Sequence, residues 1–367
     1  MKNVADIDSR PSERVMTPLP RLGVVIVSYN SGDALFECLE SLLAQTGVDL
    51  HIVVVDNNST DDTVGAMRNW ASGVVPWSDP GDIPFDLVAA PKPVPLVETD
   101  RPQTPRAAPA VNLLHSGLNG GYAAGVNAGL DCLSRVDGLS RFWILNPDSA
   151  VPPGTALAFA TYGGPDLRFS LIGGRVNYLE MPDVIQIDGG RVDWRTGVTL
   201  NVNQGAAHSA CPPPDPARMD FVTGASMVVS RTFYEAVGPM AEDYFLYYEE
   251  VDWALRRGEL PLAYCPGGLI YHRAGTSIGS PTLSRVASPL SLYFKHRNRI
   301  RFLRRHRPGA LLTAHAFTLA KSLQTLARGY PHEAWVTFRA SFGGAPTRDV
   351  AARIAPDASE TAFGRAR

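Results

Sequence analysis

The sequence predicts an α/β fold: a doubly wound, mixed but mainly parallel sheet with a C-terminal helical extension. Three observations predict it. The runs 22–28 (LGVVIVS) and 51–55 (HIVVV) are continuous and rich in β-branched residues, as strands buried on both faces must be. Each is followed by a polar turn and then by a segment with helical spacing, the repeat unit of a βαβ sheet. After residue 289 the strand pattern gives way to helical texture as far as about residue 330.

The elements follow in order. Residues 1–20 are polar and acid-containing with no apolar h-region, so they read as a disordered leader and not as a signal peptide. After the first strand comes the turn Tyr29-Asn30-Ser31-Gly32, then a helix over 33–43 with Leu35, Leu39, Leu42 and Leu43 on one face. The second strand ends at Asp56, and a helix over 62–70 follows with Ser59 or Thr60 as its N-cap. Residues 74–110 carry nine prolines, which forbid a helix or an interior strand. They read as an inserted extended loop with a short strand at 85–89. The sheet resumes at 111–114, a glycine-rich turn (117–122) opens a helix over 122–132, and 142–145 is again a strand. Residues 170–230 hold short β-like runs, 235–237 end a short helix, and 249–257 form another stopped by Gly258. Strands are expected at 262–265 and 269–271. The expected organisation is a leader (1–20), a catalytic domain (21–285) with the insertion 74–110, a basic helical extension (286–335) and a flexible tail (336–367).

Bulk properties narrow the function. The chain has 367 residues, 45% of them apolar, enough for a large core without disulfides. Its four cysteines are scattered and suggest neither a zinc site nor a disulfide set, as expected in a reducing compartment. A net charge of −2 gives no general attraction to polyanions. There is no apolar run of about 18 residues, so no transmembrane helix is expected and a cytoplasmic location is the default.

Three stretches suggest chemistry. Phe142-Trp143-Ile144-Leu145-Asn146-Pro147-Asp148 is a strand, a stiff turn and a carboxylate at the sheet's carboxyl edge, a position suited to a divalent cation bridging phosphates. Glu249-Glu250-Val251-Asp252 is a dense acidic cluster at a helix start, where simple complementation of the helix dipole is the plain explanation. It follows Tyr244, Phe245, Tyr247 and Tyr248, however. Aromatic faces hold sugars, and clustered carboxylates raise one pKa towards that of a useful base. Asp252 and Arg256, one turn apart, are placed to pair. Finally, 295–307 holds seven Lys/Arg and no acid. With its arginines outward and Phe294, Ile300, Phe302 and Leu303 on an apolar side, it would suit an anionic membrane or a lipid diphosphate. A basic helix packed on the main domain is the alternative, and no nucleic-acid module accompanies the patch.

In their order, VVIVSYNSGDALFECLESL, HIVVVDNNSTDDT, GLNGGYAAGVNAGL, WILNPDSAVPPG, FVTGASMVVSR, YFLYYEEVDWALR and YHRAGTSIG resemble family-2 glycosyltransferases of the GT-A fold, rhamnosyltransferase-like branch. The resemblance implies a nucleotide-diphospho-sugar donor, contacted through Ser28, Tyr29, Asn30, Asp56 and Asn58, with Asn119, Gly121 and Asn127 beside it. It implies Mn²⁺ or Mg²⁺ on Asp148, with His272 as a further ligand. Asn146 stands where other branches have the first carboxylate of Asp-x-Asp, and here it is expected at the substrate beside Tyr248. Glu250 takes the place of the general base, usually Asp, with the assignment open towards Glu249 and Asp252. The implied reaction inverts the anomeric carbon and glycosylates a surface polysaccharide or lipid-linked glycan. Rhamnose is the suggested sugar, and peripheral contact with the inner face of the plasma membrane through 295–307 is expected. A non-catalytic nucleotide-sugar-binding or membrane-docking protein of the same fold is the alternative.

Overall fold

The structure is a computed structural model that describes residues 18–273 and 287–364. Nearly all of the expected leader, and the end of YHRAGTSIG after Arg273, lie outside the described residues. Twelve strands are described: β1 (Arg21–Ser28), β2 (Asp49–Asp56), β3 (Leu96–Thr99), β4 (Val111–His115), β5 (Arg141–Leu145), β6 (Ser149–Ala150), β7 (Leu171–Tyr178), β8 (Ile185–Ile187), β9 (Gly190–Asp193), β10 (Val198–Asn201), β11 (Ser226–Ser230) and β12 (Ala263–His272). The main sheet runs β3-β4-β2-β1-β5-β11-β7-β12-β6, with β8 added to β7, and β9 and β10 form a separate hairpin. β1 pairs in parallel with both β2 and β5, β4 with β2 and β3, and β12 with β7. β11 is antiparallel to both of its neighbours. Strand order therefore reverses at β1, and the crevice outside its carboxyl end is where open α/β sheets bind ligands.

The helices are α1 (Ala34–Leu43), α2 (Thr63–Ser72), α3 (Tyr122–Ser134), α4 (Thr155–Thr161), α5 (Arg231–Val237), α6 (Glu249–Leu255), α7 (Pro289–His306), α8 (Leu311–Ala327), α9 (Pro331–Ser341), α10 (Arg348–Ala351) and α11 (Ser359–Phe363). Side chains alternate across β1. Leu22, Val24 and Ile26 pack with α1, α2 and α4 on one face, while Val25 and Val27 pack with α3 on the other. At Gly125 and Gly129 an added Cβ would collide with Val27 and Val25, so these glycines let α3 sit close on β1.

Four expectations need correction. The strand of the proline-rich insertion is β3, an edge strand beside β4, and not 85–89. The two strands expected at 262–265 and 269–271 are one, β12 (Ala263–His272), with a register shift between Tyr264 and Leu269 at its glycine pair. Neither Ser59 nor Thr60 caps α2. Asp61 accepts from the Thr63 backbone N–H instead, because Ser59 and Thr60 are engaged with Asn30. Residues 336–364 are not a flexible tail: Val336, Ala340, Val350, Ile354, Ala358 and Ala362 bury against Phe294 and Tyr293 in a third core.

Candidate active site

The loops after β1 and β2 are tied together. Asn30 Oδ1 accepts from the Thr60 N–H (2.8 Å) and its Nδ2 donates to Thr60 Oγ1 (3.1 Å). Asn30 sits at φ 51°, a left-handed geometry that asparagine tolerates. Ser28 is fully buried with its hydroxyl on Ser31, and Tyr29 N–H also points to Ser31 Oγ. Asp56, buried at the end of β2, receives the Ser59 N–H at 3.3–3.4 Å. Asn58 donates to Asp357 (2.9 Å). The residue between them, Asn57, was not singled out from the sequence. It is buried and donates to Asn119 Oδ1 and Gly121 O, both at 3.0 Å, so it joins the β2 loop to the glycine-rich loop. Gly121 lies at φ 89°, and any side chain there would strike the backbone of Phe245. Asn127 is not presented to this crevice by a free group: its Nδ2 donates to Met240 O and Glu242, and its Oδ1 accepts from Met240 N–H.

At the end of β5, Asp148 Oδ1 and His272 Nε2 are 3.0 Å apart. His272 Nδ1 lies 2.9 Å from Gln186 Oε1 on β8, and Asn146 Nδ2 lies 3.1 Å from Nε2. With Nδ1–H donated to Gln186, Nε2 accepts from the Asn146 amide and lies beside the Asp148 oxygen. Burial lowers the imidazole pKa, but the Asp148 charge and hydrogen bond outweigh it and raise it overall. Next in sequence, Arg273 holds Glu37 of α1 and Asp82 of the insertion, so the insertion closes over this edge.

Opposite stands α6. Three residues of the preceding loop, Phe245, Tyr247 and Tyr248, have φ of 65°, 69° and 78°, strained for bulky side chains. Asn298 of α7, fully buried, donates to the carbonyls of Tyr244, Leu246 and Tyr247 at 2.7–3.1 Å and holds that loop in place. Tyr248 is spent on structure, its hydroxyl bonded to Gly197 O. Glu249 is buried with Oε2 unpartnered among the described residues, and burial, then the Glu250 charge, push its pKa well above the carboxylate range. Burial also raises that of Glu250. Asp252 is different. Arg256 (2.9 Å), Arg305 (3.1 Å), His306 (2.7 Å) and Tyr244 (3.2 Å) surround it; burial opposes its ionisation, yet these partners hold it at about 2. Tyr122, whose hydroxyl donates to Gly224 O, feels the charges of Glu249, Glu250 and Asp148, so all three acids lie within electrostatic reach of that hydroxyl.

The sequence profile described as Glycosyl transferase family 2 matches residues 23–81. Two relatives extend the likeness over most of the chain. One is the low-salt glycan biosynthesis hexosyltransferase Agl10 of Haloferax volcanii, 24% identical over 290 residues and covering 77% of this chain and 75% of that protein. The other is the N-acetylglucosaminyl-diphospho-decaprenol L-rhamnosyltransferase of Mycobacterium tuberculosis, 24% identical over 299 residues and covering 73% and 80%. The profile match and these relatives support a family-2 glycosyltransferase likeness, carried most directly by residues 23–81. A shorter match, to the uncharacterized glycosyltransferase YibD of Escherichia coli, is 37% identical over 57 residues and spans 17% of that protein. Among solved structures, the mannosyltransferase PcManGT from Pyrobaculum calidifontis, in complex with GDP-Man and Mn²⁺, is similar at 16% identity and TM-score 0.47, covering 89% of this chain and 85% of that one.

The basic run faces outward only in part: Arg304, Arg305 and Arg307 are exposed. Arg299 is buried and donates to Thr196 O, Ala314 O and Thr318 Oγ1. Arg297 donates to Ala362 O and Tyr244 O, Arg301 pairs with Asp243, and Arg305 with Asp243 and Asp252. The expected outward array is thus corrected for Arg297, Arg299 and Arg301, which turn to partners around α7. The residues that sequence reasoning missed (Asn57, Gln186, Asn298) are neutral amides, which carry no signal until the fold brings their partners near.

Proposed function

We propose that the chain is an inverting glycosyltransferase acting on a nucleotide-diphospho-sugar. The observation that carries this reading is the Asp148–His272 pair at the carboxyl edge of the sheet, with the raised acids of α6 near enough for both to act on Tyr122. Asp148 and His272 suit Mn²⁺ or Mg²⁺: a carboxylate oxygen and an imidazole nitrogen converge, and Gln186 fixes the ring as outer-shell partners of ligating histidines do. Among the described residues no three acids, histidines or cysteines cluster, so the donor diphosphate would complete such a site. A cation bound there neutralises the leaving diphosphate.

The chain's own groups supply the rest. Asn30, Asp56 and the Asn57–Asn119–Gly121 clasp shape the nucleoside end of the crevice. Glu250, its basicity raised by burial, takes the acceptor hydroxyl proton. The acceptor oxygen bonds to the anomeric carbon as the bond to the diphosphate oxygen breaks, and the electron pair leaves with the nucleoside diphosphate. Asp252, held ionised by its cationic partners, anchors α6. The relatives' names favour a surface or lipid-linked glycan as acceptor and rhamnose as the sugar.

The test is a thermal-shift and donor-hydrolysis panel of UDP-, GDP- and dTDP-sugars with Mn²⁺ or EDTA. One nucleotide class should stabilise the protein in a metal-dependent way and be slowly hydrolysed, and Asp148→Ala should abolish both. Stabilisation without hydrolysis or transfer would favour a non-catalytic nucleotide-sugar-binding protein, the reading kept open by Asn146 in place of a carboxylate. No response to any donor would overturn both.

We also propose peripheral contact with an anionic membrane at the cytoplasmic face. No helix among the described residues is long and apolar enough to cross a membrane. The support is a face of α8 on which Leu312, Leu319, Leu323 and Leu326 are 81%, 45%, 66% and 51% exposed. It lies in a stretch, 260–332, that contains eleven Lys/Arg and no Asp or Glu.

A further inference from the structure

Between α2 and β3 the chain runs from Gly73 to Pro95 without a helix or strand. Prolines at 76, 80, 84, 91, 93 and 95 fix φ at those positions, so the extended segment has less conformational freedom to lose in keeping one path. Its exit is anchored on α1 by the buried Glu40, which takes the Ala90 N–H and Lys92 Nζ. Its middle reaches across to the end of β12. There Asp82 Oδ2 lies 2.8 Å from Arg273 Nη1 and Asp82 Oδ1 lies 2.9 Å from Nη2, a two-pronged pair. Three residues on, the half-buried Phe85 ring lies 6.1 Å from the ring of Tyr271. Tyr271 and Arg273 are the two chain neighbours of His272. The insertion thus grips both sides of the residue that faces Asp148. The outer side of this strand end has little else to hold it: among the described residues it pairs only with β6, which consists of Ser149 and Ala150. Arg273 ties the neighbourhood together, since its N–H donates to Asp148 O (3.0 Å) and its Nη2 to Glu37 of α1 (2.9 Å).

We propose that the proline-rich insertion is a strap that positions His272, with Asp82 and Phe85 as its two positioning residues. The inference rests on the reading of Asp148 and His272 as cation ligands. Ligands must be held to within about 0.5 Å of their working geometry, and a two-residue edge strand does not supply that restraint. The strap supplies it from outside, through residues that touch neither the cation nor the donor. Loosening it should therefore weaken the cation site while the fold persists.

The test uses the full chain labelled with ¹⁵N-histidine, the imidazole signals of His272 being assigned by their loss in His272→Gln. Without metal, the double variant Asp82→Asn, Phe85→Ala should shift or broaden those signals and leave His332 of α9 as it is. Asp82→Glu, which keeps the carboxylate, should change them little. Asp79→Asn, which removes the same charge from a residue bonded to the Gly81 N–H instead, should leave them unchanged. Mn²⁺ is then titrated in, because a paramagnetic ion broadens the signals nearest to it. Half-broadening of His272 should need at least about fivefold more Mn²⁺ in the double variant than in the unaltered chain. An unchanged spectrum and Mn²⁺ response would overturn the strap. So would a changed spectrum with an unchanged response, or equal disturbance by Asp79→Asn. If the double variant does not fold, Asp82→Asn alone decides by the same criteria. If Mn²⁺ leaves His272 of the unaltered chain sharp, the cation reading falls with its consequence for the site, and the metal-free spectra still decide whether the insertion holds His272.

Discussion

Three acids within four positions have two different fates. Asp252 is fully buried yet ionised, because Arg256, Arg305 and His306 converge on it. Its pKa in the folded chain, about 2, lies below the ordinary carboxyl value near 3.9, so the unfolded chain binds the proton more readily. The resulting stabilisation, about 2–3 kcal/mol, is complete above roughly pH 4 and is lost as pH falls towards 2. Asp252→Asn should therefore cost about 3 kcal/mol at pH 7 in urea unfolding. It should also lose less stability than the parent between pH 4 and pH 2; an unchanged acid slope would remove Asp252 from this role. Glu249 and Glu250 are raised by burial instead, which suits a proton acceptor and does not suit an anchor. Glu250→Gln should lower transfer by at least about a hundredfold while donor affinity, read by thermal shift, stays nearly the same. A matching loss of donor affinity would take Glu250 out of the base role.

At the scale of elements, the site depends on a loop that could not hold its shape alone. Left-handed geometry at Phe245, Tyr247 and Tyr248 costs on the order of 1 kcal/mol at each. The Asn298 amide repays part of this through three carbonyls. Asn298→Ala should destabilise the protein by about 2 kcal/mol and slow transfer by freeing the α6 acids. Asn298→Asp should be worse, because it turns an acceptor towards three acceptors. If chemical denaturation ranks the two variants the other way, the amide is not what holds the loop. The insertion is tied down comparably: Glu40 accepts from Trp70 Nε1, Ala90 N–H and Lys92 Nζ at 2.6–2.8 Å.

At the scale of the molecule, α7, α8 and α9 form a platform beside the catalytic sheet. Ala314 and Thr318 of α8 face inward, and its leucine stripe faces out. Leu319→Glu with Leu323→Glu should reduce co-sedimentation with anionic vesicles at least tenfold, since it removes apolar area and adds like charge. Unchanged sedimentation would dismiss the membrane contact. A fall in oligomer mass in the variant would instead assign the stripe to a second copy of the chain.

Much of the fold was legible in the sequence because buried parallel strands need continuous β-branched runs, and 22–28, 51–55 and 142–145 leave few other options. The Asp252–Arg256 pair was legible because helical spacing alone brings it together. Other features were not. Charge along a sequence carries no direction, so the cations of 295–307 read as one surface until Thr196, α8 and the terminal helices were seen to take Arg297 and Arg299. Asn127 and Tyr248 matched a family pattern, yet distant backbone atoms claim their polar groups. The tail's helices are too short to show a period, and they owe their order to a core built by α7. The sequence by itself determined the sheet and the turn chemistry at its carboxyl edge, because these depend on local spacing and burial. Tertiary structure alone decided which acid is free, which arginine is buried and what holds the end of β12, because those depend on contacts between residues far apart in the chain.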